Sequence, residues 1–544
     1  MKSNGKKLIS MVVALVLVCG MLTACRTGGN AKTVDSEDAK VLHSQLSTDP
    51  GTADIHKMAD YVGIPLNIYD RLVEMETTGP GQSKVVPGLA ESWDISEEGL
   101  TYTFHLRKNV KFHNGEIFKA DDVLYTFDRI LDPETKSLGS GFVDMIAGAE
   151  DRLNGKSDVV SGIKVVDDNT VQITLAKPYA PFIPNLATPN CSIYNRKATT
   201  EAGDKFGIEP EKTIGTGPFR LKSWELNKRI VMEANPDYFR GPAKINEVVL
   251  EVIPDVETTR MMFETGKLDM FDLDDARSQI PYFKQNEKWK NQISGAPRVG
   301  IYYIAINENI KPFDNVRVRK ALQMAIDRKS LLEKLFYNEG QLVNGIMPPG
   351  LIGYNPDLET IPYDPAKAKE LLKEAGYPDG FDMEIAQPVD TGSNLRMSEA
   401  LQSMLAEVGI RVTIKQLDDS SFFATRKAGE LPCFQSVWSA DFNDPNNFLY
   451  TFFAEKNVKG RSLNYNSPEV FKKLEEAKSM TDPEARIKLY QELEKTIVID
   501  DAAWVPLFEL NHLFVTQPYV KGFKVAWNGW GLSNISFYGI EIEK

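Results

Sequence analysis

Apolar and polar positions alternate strictly in TYTFHL, residues 101–106, which places Tyr102, Phe104 and Leu106 on one face of a strand. Val171, Ile173 and Leu175 alternate likewise after Asp167, Asp168 and Asn169, so this segment and 163–166 read as a hairpin. Residues 247–253 are more continuously apolar, as in a strand buried on both faces. From about residue 315 the period lengthens. Asn315 can cap a helix carrying Val318, Leu322, Ala325 and Ile326, continuing toward Leu332 and Phe336. Asp364 and Pro365 open another, with Leu371, Leu372 and Ala375 inward and Gly376 as its stop. Residues 395–408 run as helix to Gly409, and 410–414 then alternate as a strand. Ser467-Pro468 and Asp482-Pro483 each start a further helix.

Helices alternating with short strands over 299–511 predict an α/β lobe. The strand-rich sequence before it is a different lobe. Residues 512–544 turn aromatic and strand-like again (Phe523, Val525, Trp527, Trp530), which fits the first lobe. A chain that crosses twice between lobes makes a hinge with a cleft.

The amino terminus adds the compartment. Lys2, Lys6 and Lys7 precede an almost wholly apolar run at 8–22, too short for a bilayer-spanning helix. Leu22-Thr23-Ala24-Cys25 resembles a bacterial lipobox, in which cleavage before Cys25 leaves a lipidated cysteine. The alternative is an ordinary secretory signal with a chance cysteine. Residues 25–40, small and polar, form a flexible tether, so the membrane is met through the lipid anchor only. The remaining chain, about 520 residues, needs more than one core. The full sequence's formal net charge of −13, more negative once three leader lysines go, argues against nucleic acid as a partner. Cys191 and Cys433 are far apart and lack metal-ligand spacing; they read as buried packing residues, with a disulfide the alternative outside the cell.

Catalytic patterns do not emerge. There is no G-x-S-x-G, H-E-x-x-H or G-x-x-x-x-G-K-[ST], and the five histidines (His43, His56, His105, His113, His512) are scattered. A calcium loop starting at Asp441 would need Gly where Asn446 stands and Glu where Phe452 stands. No enzyme, metal or cofactor is therefore expected.

AESW at 90–93, followed by TYTFHLRKNVKFHNGEIFKADDVLYTF at 101–127, resembles the signature of family 5 extracellular solute-binding proteins, the peptide- and nickel-type receptors of ABC importers. GTGPFRLKSW (215–224), NPDYF (235–239), FDNVRVRKALQMAIDR (313–328), LLKEAGY (371–377) and WSADFNDPNNF (438–448) match in the same order. Lys119 stands where the family often has a helix-capping Thr. The resemblance implies a two-lobe α/β clamp with two hinge crossovers. Lobe I would be 41–298 with an inserted subdomain at about 69–190, lobe II 299–511, and 512–544 a return to lobe I. It implies a monomeric receptor that captures peptides, or another small solute, and delivers them to ABC permease subunits. His105, His113, Trp93 and Tyr102 read as scaffold.

In VWSADFNDPNNFL, 437–449, an apolar strand is carried to Asp441 and then stopped by turn residues. By the resemblance, the Asp following Ala440 pairs with a peptide's α-ammonium, with Trp438 beside it; the alternative is that Asp441 only caps the turn. Asp444 reads as the turn residue. The family's carboxylate anchors are missing: Gln435 stands at one arginine position, and near the other only Arg396 is basic. A longer peptide or a non-peptide amine therefore fits better than a dipeptide. Residues 300–307 resemble the strand that lines the cleft, where one of Tyr302 and Tyr303 reaches ligand, and His56 lies in a loop resembling the opposite wall. The alternatives are a receptor for a nickel chelate, haem or an oligosaccharide stacked on Trp438, Trp504, Trp527 or Trp530, or a peptide-sensing surface module without transport.

Overall fold

The alternating segments become strands at the expected places in the computed structural model, which describes residues 40–58, 61–389 and 392–544. The lipobox and all of the tether but Lys40 lie outside these residues. Thr101–Leu106 sits between Ala90–Ile95 and the hairpin of Ile163–Asp167 and Thr170–Thr174 in a four-stranded antiparallel sheet. Tyr102, Phe104 and Leu106 are buried against Val123, Phe127 and Ile130 of the helix Ala120–Leu131. Lys119 makes no side-chain cap there; instead Asp122 reaches back to accept its amide at 3.0 Å.

Glu247–Val252 is an interior strand, parallel to Val41–Leu46 and antiparallel to Arg229–Ala234, with Phe219–Glu225 beyond. The third sheet orders Met270–Asp272, Trp504–Thr516, Gly300–Ile306, Cys433–Ser439, Asp382–Pro388 and Arg411–Leu417. Trp504–Thr516, thirteen residues long, pairs with Gly300–Ile306 through its first half and with Met270–Asp272 and Ile293–Pro297 through its second.

Two elements depart from the sequence reading. The helix capped by Asn315 ends at Ala325: Ile326 is extended, and Asp327 accepts the Ser330 amide at 3.0 Å to begin a second helix, Arg328–Leu335. A side chain that caps offers the backbone an alternative to continuing the turn. The 512–544 stretch is mostly irregular after Thr516, with the short strand pair Val520–Lys521 and Glu541–Ile542 and a 3-10 turn at Gly531–Asn534. Trp527 and Phe537 are buried all the same, and Phe523 and Trp530 are half-buried. Gly522, Gly529 and Gly531 at positive φ turn the chain where a strand would run straight.

Candidate functional site

Gly300–Ile306 pairs antiparallel with Cys433–Ser439, from Gly300 opposite Ser439 to Ile306 opposite Cys433. Alternation sends the two tyrosines to opposite faces. Tyr303 is buried and stacks on Trp504 with ring centres 3.8 Å apart, whereas Tyr302 packs between Phe336 and Phe508. Trp438 lies half-buried, its ring edge-on to Phe452 at 5.4 Å.

Past Ser439 the chain is gripped from two sides. The Ala440 amide donates to Val299 O at 2.8 Å, and Ala440 O accepts from Asn528 Nδ2 at 2.5 Å. Asp441 follows at a fixed place. Its amide donates to Asn447 Oδ1 (2.9 Å), while Asn447 Nδ2 donates to Asp441 Oδ2 (2.9 Å). Trp438 Nε1 donates to Asn447 O at 3.0 Å, so one asparagine holds both the tryptophan and the carboxylate. Among the described residues Asp441 has no cation in ion-pair contact, and its Oδ1 accepts no hydrogen bond. Burial pushes the Asp441 carboxyl above the usual range, against the opposing pull of Asn447 and of the Arg461 charge. Asp441 is thus a half-buried carboxylate with one oxygen free of protein donors among the described residues.

The rest of the turn is structural. Asp444 accepts the Asn446 amide at 2.8 Å, as expected of a turn residue, and also takes both terminal nitrogens of Arg486 at 2.8 and 2.7 Å. That buried ion pair escaped the sequence reading, although Arg486 shares a helical stripe with Tyr490 and Leu493, an odd place for a charge. Asn443 binds Ser83 Oγ, Gly350 O and the Ile352 amide, and Asn446 bonds Tyr179 and Tyr490 hydroxyls.

Asp441, Ala440, Trp438 and Tyr303 are thus brought together, with Tyr302 behind the same strand. His56 is not with them. It is fully buried, 2.6 Å from Arg129 and with its ring 4.6 Å from Tyr194, and burial with the arginine's charge pulls it down to about 3. A loop histidine was the expectation; a short 3-10 turn, capped by Asp54, folds it into the core instead. Gln435 is also buried, donating to Asn394 O (2.5 Å) and Ser398 Oγ (2.9 Å), and Arg396 is exposed on its helix. Trp504 and Trp527 are enclosed, and Trp530 is covered by the Arg298 guanidinium 3.7 Å above it. Cys191 and Cys433 are free buried thiols, which removes the disulfide alternative. His113 has a scaffold role: it accepts the Gly215 amide at 3.2 Å and bonds Gly217 O at 3.1 Å, joining two of the quoted motifs.

Arg426 and Arg461 near the site were not anticipated. Arg461 lies 4.8 Å from the ring centres of both Trp438 and Phe452, and no pattern within the 455–465 sequence marks it.

The description "Bacterial extracellular solute-binding proteins, family 5 Middle" matches residues 84–460. Haem-binding protein A of Haemophilus influenzae is 32% identical over 492 residues, covering 88% of this chain and 87% of the relative. The dipeptide-binding protein of Escherichia coli is 32% identical over 545 residues, covering 96% and 95%. Among solved structures, the periplasmic binding protein DppA of Helicobacter pylori in complex with the peptide STSA superposes with a TM-score of 0.76 at 29% identity, covering 93% of this chain and 98% of that one. The arrangement of sheets described above is therefore the mixed α/β two-lobe binding-protein fold, and the chain belongs to the bacterial extracellular solute-binding proteins of family 5.

Proposed function

We propose that the protein is the substrate-binding receptor of an ABC importer, held outside the cell membrane by a lipid on Cys25, and that it captures oligopeptides by their free amino end. The observation that carries this is Asp441: a carboxylate delivered by a strand, oriented by Asn447, half-buried, and among the described residues without a cation in ion-pair contact. An α-ammonium group supplies the missing charge with directional N–H donors. Relatives named for peptides, and a similar structure solved with a tetrapeptide, support the substrate class.

Calorimetry with Asp441→Asn tests the anchor. Removing one partner of a buried pair costs about 3–5 kcal/mol, so affinity for a free peptide should fall by roughly two to four decades. N-acetylated peptide should bind the native protein poorly and lose little more from the substitution. Equal losses for free and acetylated peptide, with the variant folded, would reduce Asp441 to a turn residue. The anchor lipid is tested separately: a palmitate analogue should label the wild type in cells and not Cys25→Ala, and equal labelling would refute it.

A further inference from the structure

Several buried arginines of the described residues have an acidic or carbonyl partner, although Arg298 Nε and Nη1 find no acceptor. Arg486 is paired with Asp444, Arg129 with Asp54 and Arg298 with Asp274, while Arg328 is hydrogen-bonded to the carbonyls of Val343 and Ile361. Arg461 is different. Its guanidinium rests against Trp438 and Phe452, and among the described residues no carboxylate or carbonyl takes its N–H groups. Arg426 lies near enough for the two positive charges to act on each other; its Nε is sealed from solvent without an acceptor. Burial pulls both guanidinium groups below their usual range.

Among the described residues, the carboxylate whose charge acts on Arg461 is that of Asp441. Once Asp441 is engaged by a ligand ammonium, its charge no longer offsets the arginines. The occupied site would then hold two neighbouring guanidinium groups and no free anion, an arrangement that low-dielectric surroundings penalise. A ligand that brings its own carboxylate resolves this. Arg461 is half-exposed, which leaves its fork of donors open to such a group. Reach is set by Trp438, which carries Arg461 on its ring and shares Asn447 Oδ1 with Asp441, at 3.3 and 2.9 Å.

We infer that Arg461, backed by Arg426, is a carboxylate-binding subsite beside the amine anchor, and that the preferred ligand carries an anion on its amino-terminal residue. This rests on the reading of Asp441 as that anchor. Two ligand types share the chemistry: an α-linked peptide beginning with Asp or Glu, and a γ-glutamyl peptide, whose free α-carboxylate and ammonium sit on one carbon.

Titration calorimetry of the mature protein with Glu-Ala-Ala, Gln-Ala-Ala and γ-linked Glu-Ala-Ala separates them. The wild type should prefer at least one acidic peptide over Gln-Ala-Ala by about ten- to a hundredfold, the range of a charge-assisted hydrogen bond. Preference for the α-linked acid assigns the side-chain carboxylate, and preference for the γ-linked one assigns the zwitterionic head. Arg461→Gln should abolish the preference while leaving Gln-Ala-Ala within about threefold of wild type. Arg461→Lys, which keeps the charge but not the fork, should retain part of it. Binding of Gln-Ala-Ala with no preference for either acid overturns the subsite and leaves the amine anchor standing. A loss shared equally by acidic and neutral peptides in both variants also overturns it, because Arg461 would then be only an aromatic cover. Failure of all three peptides to bind overturns the subsite and the peptide reading together.

Discussion

Asn447 satisfies three groups at once: the Asp441 amide, the Asp441 carboxylate and the Trp438 indole. That economy lets a partly desolvated carboxylate keep one oxygen unused without drifting from its place. The neighbouring Asp444–Arg486 pair fixes the turn from below, with both side chains less than a tenth exposed. Arg486→Ala would strand the Asp444 charge and remove the Arg486 Nε bond to Ala477 O. Unfolding in urea should show a loss of about 3–5 kcal/mol, much of it recovered when Asp444→Asn is added. A loss below about 1 kcal/mol would mean water already serves the pair. Of these residues Asp441, Trp438 and Asp444 could be picked out beforehand, because a strand halted at a carboxylate and followed by turn residues is visible along the chain, whereas Asn447 and Arg486 could not. The role proposed for Asp441 came from resemblance, since periodicity does not say what a carboxylate faces. Arg461 was illegible: it lies twenty residues beyond Asp441, and only the fold seats it on Trp438.

Helix starts were the most legible elements. Asn315, Asp364, Ser467 and Asp482 each accept a backbone amide two or three residues on, as their side chains dictate. The missed break at Asp327 used the same chemistry, hidden within a run whose apolar spacing suits one helix or two. The helix Pro483–Lys495 contributes a buried acid that spacing does not reveal, Glu494, which accepts the Ile346 and Met347 amides at 2.6 Å each. Burial pushes its carboxyl up to about 7. A folded-state value above the unfolded one means the native state holds the proton longer. The contribution to stability is therefore fully present below the unfolded value and is lost as pH rises through about 7. Glu494→Gln, always neutral and still able to accept, should gain on the wild type by about 1 kcal/mol between pH 6 and pH 8. Melting curves at the two pH values check this; a constant difference would show that Glu494 does not titrate there.

Over the whole molecule, the alternation of strands and helices predicted a two-lobe α/β fold, and the relatives share it. The crossover near 511 was harder to place, because no turn or composition change marks it: Trp504–Thr516 runs through that point without interruption. One ladder of main-chain hydrogen bonds thus serves strands from both halves of the sequence. This has a consequence for how the protein comes apart. A chain of this length ordinarily melts domain by domain, each with its own temperature. Here neither half can release its strand without fraying the edge on which the other is built. Scanning calorimetry of the ligand-free protein should accordingly give one cooperative endotherm, with van't Hoff and calorimetric enthalpies in a ratio of about one. Two resolved peaks would show that the shared strand parts in the middle, letting each half keep what it holds.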